Sequence, residues 1–335
     1  MSETKPAPRT YNETHVPRKY AEGRRRVSVY VSWSYPGEAN QDVTVMDNRG
    51  NTVTEIRQVN WPRFEWADPM TTQQGIAGAM ELLLQTWIPF TQLVEEAIGH
   101  RVPMFQRVNQ GGYQLPLDER VLADADTLLV FGVDVLRAQQ RAAPEEIEAV
   151  RQFLTREGTC LIISPHHDVG RSDDLKGREM EHVHHGDPLV PGQQRTGMYT
   201  RSLMRGLGVP VENRWGLRPA VAEGTLAPLS IRRDLDTRGW LEGVTSLNFH
   251  PHMPHYALTT EDTKSIHVLA RQPIDMSKPH PFTLAGNQEF NAVIWMPPSG
   301  DRAGDVLLVD SAQLATFFGA TASDSLKRFW LNIAK

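Results

Sequence analysis

Apolar and polar positions along the chain fall into two rhythms, and their order predicts the architecture. The segment RVSVYVSW (26–33) alternates β-branched and polar residues, as a strand does. ADTLLVFGVD (125–134) and TCLIIS (159–164) are short continuous apolar runs, the pattern of strands buried on both faces. Between them, APEEIEAVRQFLTREG (143–158) has helical spacing, with proline at its start, acids in its first turn, and a terminal glycine. Strand, helix and strand in forty residues predict a βαβ unit and a parallel sheet. In such a sheet ligands bind beyond the carboxyl ends of the strands.

The same reading extends outward. Residues 71–100 are predicted helical, with Pro89 kinking or splitting the run; TVTEIRQVN (52–60) is a short strand candidate. GMYTRSLMRGLGVPV (197–211) predicts a helix running into a strand. TSLNFHPH (245–252), SIHVLAR (265–271), FNAVIWM (290–296) and GDVLLVDS (304–311) are strand candidates, and SDSLKRFWLNIAK (323–335) an amphipathic terminal helix. Residues 1–25 are expected to be a polar extended arm anchored by Tyr11, Val16 and Tyr20, or else a disordered tail. Residues 26–335 form a single α/β domain with a mostly parallel sheet flanked by helices, flavodoxin-like, with loop insertions. A histidine-rich insertion is expected around 164–195.

Composition narrows the function classes. A formal charge of -5 gives no general electrostatic reason to bind nucleic acid or an anionic membrane. One cysteine, Cys160, excludes an intramolecular disulfide and a thiolate-rich zinc site, making the cytoplasm the expected compartment. No apolar run approaches membrane-spanning length, and the polar N-terminus does not read as a signal peptide.

Histidine changes the picture most. Eight of twelve histidines lie in SPHHD (164–168), EMEHVHHGDP (179–188) and FHPHMPHY (249–256). Neutral imidazole is a common ligand for zinc, iron and copper, and about three donors converging on one point make a site. The candidate metal ligands are His166, His182, His184, His185, His250, His252 and His255. If their segments are extended, His182 with His184 and His250 with His252 share a face. The simpler alternative is loop histidines bonded to backbone and solvent. Asp168, Glu181, Glu38 and His167 are candidate acid–base groups, and His167–Asp168 would also serve a metal-free mechanism. Trp33, Tyr35, Asp134, Arg195 and Tyr199 are candidate substrate-binding residues, the alternatives being core aromatics, a helix cap and surface arginines.

The segment ADTLLVFGVDVLRAQQRAAPEEIEAVRQFLTREGTCLIISPHHD (125–168) resembles the class I glutamine-amidotransferase-like superfamily, in its trehalose-utilisation-type and gliding-motility-type branches. RSLMRGLGVPVENRW and GDVLLVDSAQLATFFGATASDSLKRFWLNIAK extend the likeness, which covers roughly residues 26–34 and 120–335. The resemblance implies an amidotransferase-like fold, with a histidine just after the second apolar strand, a position matched by His166 and His167. The chain departs from true amidotransferases in lacking a cysteine nucleophile elbow: Cys160 falls within a strand, which argues against glutamine hydrolysis through a thioester. The expected function is a metal-dependent hydrolase of a small polar substrate, such as an amide or lactone, with a divalent ion. Zinc is the first choice; iron, manganese and copper remain open. A non-catalytic binding or scaffold module and a non-haem iron or copper oxidoreductase are the alternatives. The expected assembly is a homo-oligomer, the arm reaching across to a partner subunit.

Overall fold

The structure, a computed structural model, describes residues 18–32, 85–107, 109–110, 113–134, 139–186, 194–222, 224–250, 252–262, 264–316 and 321–335. Tyr11, Val16, Trp33, Tyr35, Glu38 and the 52–60 strand candidate lie outside them. The strands that position the site are β1 (Val27–Ser32), β2 (Met104–Gln106), β3 (Thr127–Gly132), β4 (Cys160–Pro165), β5 (Asp168–Val169), β6 (Gln194–Arg195), β7 (Val211–Leu217), β8 (Ser230–Ile231), β9 (Met253–Leu258), β10 (His267–Pro273), β11 (Glu289–Met296) and β12 (Asp305–Leu308). The helices around them are α1 (Ile88–Ile98), α2 (Pro144–Leu154), α3 (Leu175–His185), α4 (Met198–Gly206), α5 (Pro281–Leu284) and α6 (Asp324–Ile333).

An eight-stranded sheet runs in the order β8-β10-β11-β12-β4-β3-β1-β2. Strands β2, β1, β3, β4 and β12 are mutually parallel; β11, β10 and β8 continue the sheet antiparallel. The parallel part repeats the 2-1-3-4-5 order of flavodoxin-like sheets, with β12 as the fifth strand. Side-chain alternation divides the core into two layers. Val27, Val29, Val31, Leu129, Phe131, Ile162 and Leu307 face α1 and α6, where Trp87 meets Phe131 at 4.9 Å between ring centroids and Phe90 meets Trp330 at 5.7 Å. Leu128, Val130, Leu161, Ile163 and Leu308 face α2 and α4 through Val150, Phe153, Leu203 and Met204. A sheet covered on both faces needs apolar residues at every position, which is why these strands read as unbroken runs.

Pro89 lies in the first turn of α1, where its missing N–H costs nothing, so a helix begins beside it; residues 71–84 lie outside the described set. Two sequence expectations change. No strand covers 245–252; the strand begins at Met253 and pairs with β7 in a separate two-stranded sheet. Around the expected insertion, the segment carrying His182, His184 and His185 is not extended: it is α3, begun by the Asp174 carboxylate accepting from the Gly177 N–H at 2.8 Å and ended by Gly186 at φ 94°. Residues two apart on a helix point some 200° apart. His182 and His184 therefore do not share a face.

The described end of the arm lies on its own domain. Arg18 pairs with Asp124 at 3.0 Å, and the Tyr20 ring stands edge-on to His100 at 5.0 Å. Cys160 is buried inside β4, as expected, and burial pushes its thiol up to about 12.

Candidate metal centre

The carboxyl ends of the parallel strands deliver the site. Chain leaving β4 supplies His166 and His167, chain leaving β12 supplies Asp310, the C-terminal turn of α3 brings His185, and the approach to β9 brings His250 and His252. One ring nitrogen from each of His166, His167 and His252 lies within 4.8 Å of the other two. His167 is the hub: its Nδ1 is 3.1 Å from Nδ1 of His252 and its Nε2 is 2.9 Å from Nε2 of His185. The His185 and His252 rings stack at 3.7 Å, and the His250 ring lies 5.0 Å from His166 and 4.2 Å from His252.

Protonation follows from burial. His167 and His252 are held well below the ordinary histidine value, first by burial and then by neighbouring imidazoles; His250 is pushed down to about 4, first by burial and then by His166. All three are neutral at pH 7, so each ring carries one proton and one lone pair. The Nδ1 of His250 lies against the backbone of His252, meeting its carbonyl and, at 3.4 Å, its N–H. The Nδ1 of His166 faces Oδ1 of Asp310 at 2.8 Å, which puts a proton on Nδ1.

Two nitrogens on one tetrahedral ion, each about 2.0–2.1 Å away, stand about 3.3 Å apart. The 3.1 Å His167–His252 contact is close to that spacing, so a small opening converts this hydrogen bond into a pair of ligands. His167 would then keep its Nε2 proton for His185. The donor chemistry and protonation thus fit a divalent ion of zinc-like preference.

The loop carrying His166 and His167 is fixed by Arg201. That guanidinium donates to the carbonyls of His166 (3.2 Å), Asn213 (2.8 Å) and Thr196 (2.8 Å), and to Asp168 Oδ1 at 2.8 Å. Strand β7 closes the other side. Trp215 is the extra residue of a bulge against β9, at φ 41°, and Gly216 after it is so near that a Cβ there would stand 3.0 Å from the His167 ring and 3.1 Å from that of His185.

Several expected site residues have other work. Asp168 is buried among Arg195 (3.2 Å), Arg201 (2.8 Å) and Arg171 (3.5 Å), so Asp168 and Arg195 are members of one ion-pair cluster. Glu181 accepts from the N–H groups of Arg171 (2.9 Å) and Ser172 (2.8 Å) and from the Ser172 hydroxyl, closing the turn before α3. His184 bonds to backbone through both nitrogens, Lys278 carbonyl at 3.0 Å and Arg218 N–H at 2.8 Å. The Nδ1 of His255 accepts from Asn291 N–H at 3.2 Å, and its ring packs on Phe282 at 4.7 Å. His182 is buried on α3 and is not in the trio. Tyr199 donates to Glu146 at 3.0 Å in the α2–α4 layer. Asp134 caps α4 by accepting from Tyr199 N–H at 3.0 Å and lies 2.6 Å from the Ser32 hydroxyl; burial pushes it up to about 6. The residue not singled out from the sequence is Asp310. Its one signal was its position just past an apolar strand, the position shared by His166 and His167.

Fold and site together define an α/β domain with a flavodoxin-like parallel core and an imidazole cluster at the carboxyl ends of its strands. No family model matches the chain, and no curated protein does. Among solved structures, a ThuA-like protein from Bacteroides uniformis is similar over 95% of this chain and 93% of that chain, with 10% sequence identity and a TM-score of 0.40. The fold assignment rests on the strand order described above.

Proposed function

We propose that the chain is a metal-dependent hydrolase of a small polar substrate, an amide, lactone or related C–N or C–O bond, in an amidotransferase-like domain that does not use a cysteine nucleophile. The observation that carries the reading is the convergence of His166, His167 and His252, the last two buried, at the carboxyl end of a parallel strand. Three imidazoles without a carboxylate among them suit zinc better than the two-histidine, one-carboxylate pattern of iron(II), since Asp168 and Glu181 are committed elsewhere. A bound divalent ion would lower the pKa of a coordinated water toward neutrality. His166, His167 and His252 would hold the ion, Arg201 would keep their loop in place, and the His250 ring stands beside the trio.

Elemental analysis of protein purified without a histidine tag tests this. About one equivalent of zinc, lost in His166→Ala and His252→Ala while folding persists, is the expected result. A folded wild-type protein that neither carries nor takes up a divalent ion overturns the metal reading and favours the non-catalytic alternative.

A further inference from the structure

Six carboxylates are buried among the described residues: Asp134, Glu146, Asp168, Glu181, Asp305 and Asp310. In five of them both oxygens are hydrogen-bonded or paired. Asp134 meets Ser32 and the Tyr199 N–H; Glu146 meets the Leu117 and Ala143 N–H groups, Tyr199 and Arg107. Asp168 is held by arginines on both oxygens, Glu181 by Arg171 N–H and Ser172, and Asp305 by the Trp295 indole at 2.9 Å and Arg238 at 3.0 Å. Asp310 is the exception. Its Oδ1 takes the 2.8 Å contact with Nδ1 of His166 and a long 3.5 Å one from the Ser311 hydroxyl, and its Oδ2 is buried with no hydrogen-bond partner among the described residues.

A buried carboxylate kept for stability has its lone pairs satisfied, because desolvation is otherwise uncompensated. A bare oxygen therefore points to a role other than holding the fold. We propose that Asp310 is a positioning residue of the metal centre: it fixes His166 as the Nδ1–H tautomer and directs Nε2 at the ion. This rests on the proposed metal reading. The carboxylate is not itself a ligand beside His166, because it stands at Nδ1, on the far side of the ring from an ion at Nε2. With no donor on Oδ2 among the described residues, the carboxylate has His166 as its close partner, which strengthens Nε2 as a donor.

The test uses the full chain, metal-free and then titrated with zinc against a chromophoric chelator, for wild type, Asp310→Asn and Asp310→Ala. Long-range ¹H–¹⁵N correlation of the metal-free wild type should show His166 with its proton on Nδ1. Asp310→Asn keeps the shape and removes the charge, and zinc affinity should fall about tenfold; Asp310→Ala should fall about 10- to 100-fold and mix the His166 tautomers. If the alanine variant does not fold, the asparagine variant carries the comparison. Zinc affinity within twofold of wild type in the variants overturns the proposal while leaving the metal reading standing. A wild-type protein that binds no zinc overturns the metal reading, and with it the positioning of an ion. The tautomer still decides separately whether Asp310 orients the ring: a His166 proton on Nε2 rejects that as well.

Discussion

Asp134 shows how burial sets a single residue's behaviour. The Ser32 hydroxyl has one proton and two oxygen neighbours, the Phe131 carbonyl at 3.2 Å and Asp134 Oδ1 at 2.6 Å. If it donates to the carbonyl, Asp134 must be the donor in the shorter contact, which requires a protonated carboxyl. Burial raises Asp134 to about 6, so folding favours its protonated form. That stabilisation is fully present below the unfolded value near 4 and is lost as pH rises through about 6. Asp134→Asn, which mimics the protonated group, should flatten the stability profile between pH 4 and 7 and gain up to about 3 kcal/mol on wild type at the alkaline end. Urea unfolding at intervals across that range reads it; parallel profiles for the two proteins reject the assignment. At His184 the expectation is opposite in kind. His184→Ala strands a buried carbonyl and a backbone N–H, so it should cost on the order of 2 kcal/mol in the same measurement and leave zinc affinity unchanged. A folded variant that has lost its zinc would return His184 to the ligand set.

Among the elements, those buried on both faces were legible and the one that buries a polar face was not. Strands β1, β3, β4, β11 and β12 carry runs of Val, Ile, Leu and Phe that leave little choice. Helix α3 lacks an apolar stripe: Leu175 and Val183 are exposed, and the residues it buries include Glu181, His182, His184 and His185. Its caps, Asp174 and Gly186, were the available signal, and the density of histidine drew the reading toward ligand spacing in an extended segment. The site divides in the same way. His166, His167 and His252 stand out by clustering, whereas Asp310 is one aspartate among many until the sheet brings β12 beside β4. Strand β7 is where an element touches the chemistry most closely. Gly216→Ala would drive a methyl against the His167 and His185 rings, so zinc affinity should fall at least tenfold with the fold retained. Unchanged affinity would mean that the strand can yield at its bulge.

At the scale of the molecule, residues from four separated stretches of chain, His166 and His167, His185, His250 and His252, and Asp310, come together, so an ion held there would be bound by the folded chain alone. Ligand that binds only the folded state stabilises it by about 2.7 kcal/mol at a hundredfold excess over Kd. Zinc should raise the melting temperature of wild type by a few degrees and leave His166→Ala unmoved, as calorimetry would show; an equal rise in both would place the binding elsewhere. Among the described residues no helix is long and apolar enough to cross a membrane.

The margins of the sheet bear on how copies of this chain can meet. Among the described residues the outermost strands are β2, three residues long, and β8, two residues long. A sheet that joins its twin edge to edge needs a long row of unsatisfied backbone groups as a template, and brief rims such as these supply few. If the expected homo-oligomer forms through the described surface, its subunits should therefore join side chain to side chain across helices and loops, and its contact should respond to surface substitutions rather than behave as a continued ladder.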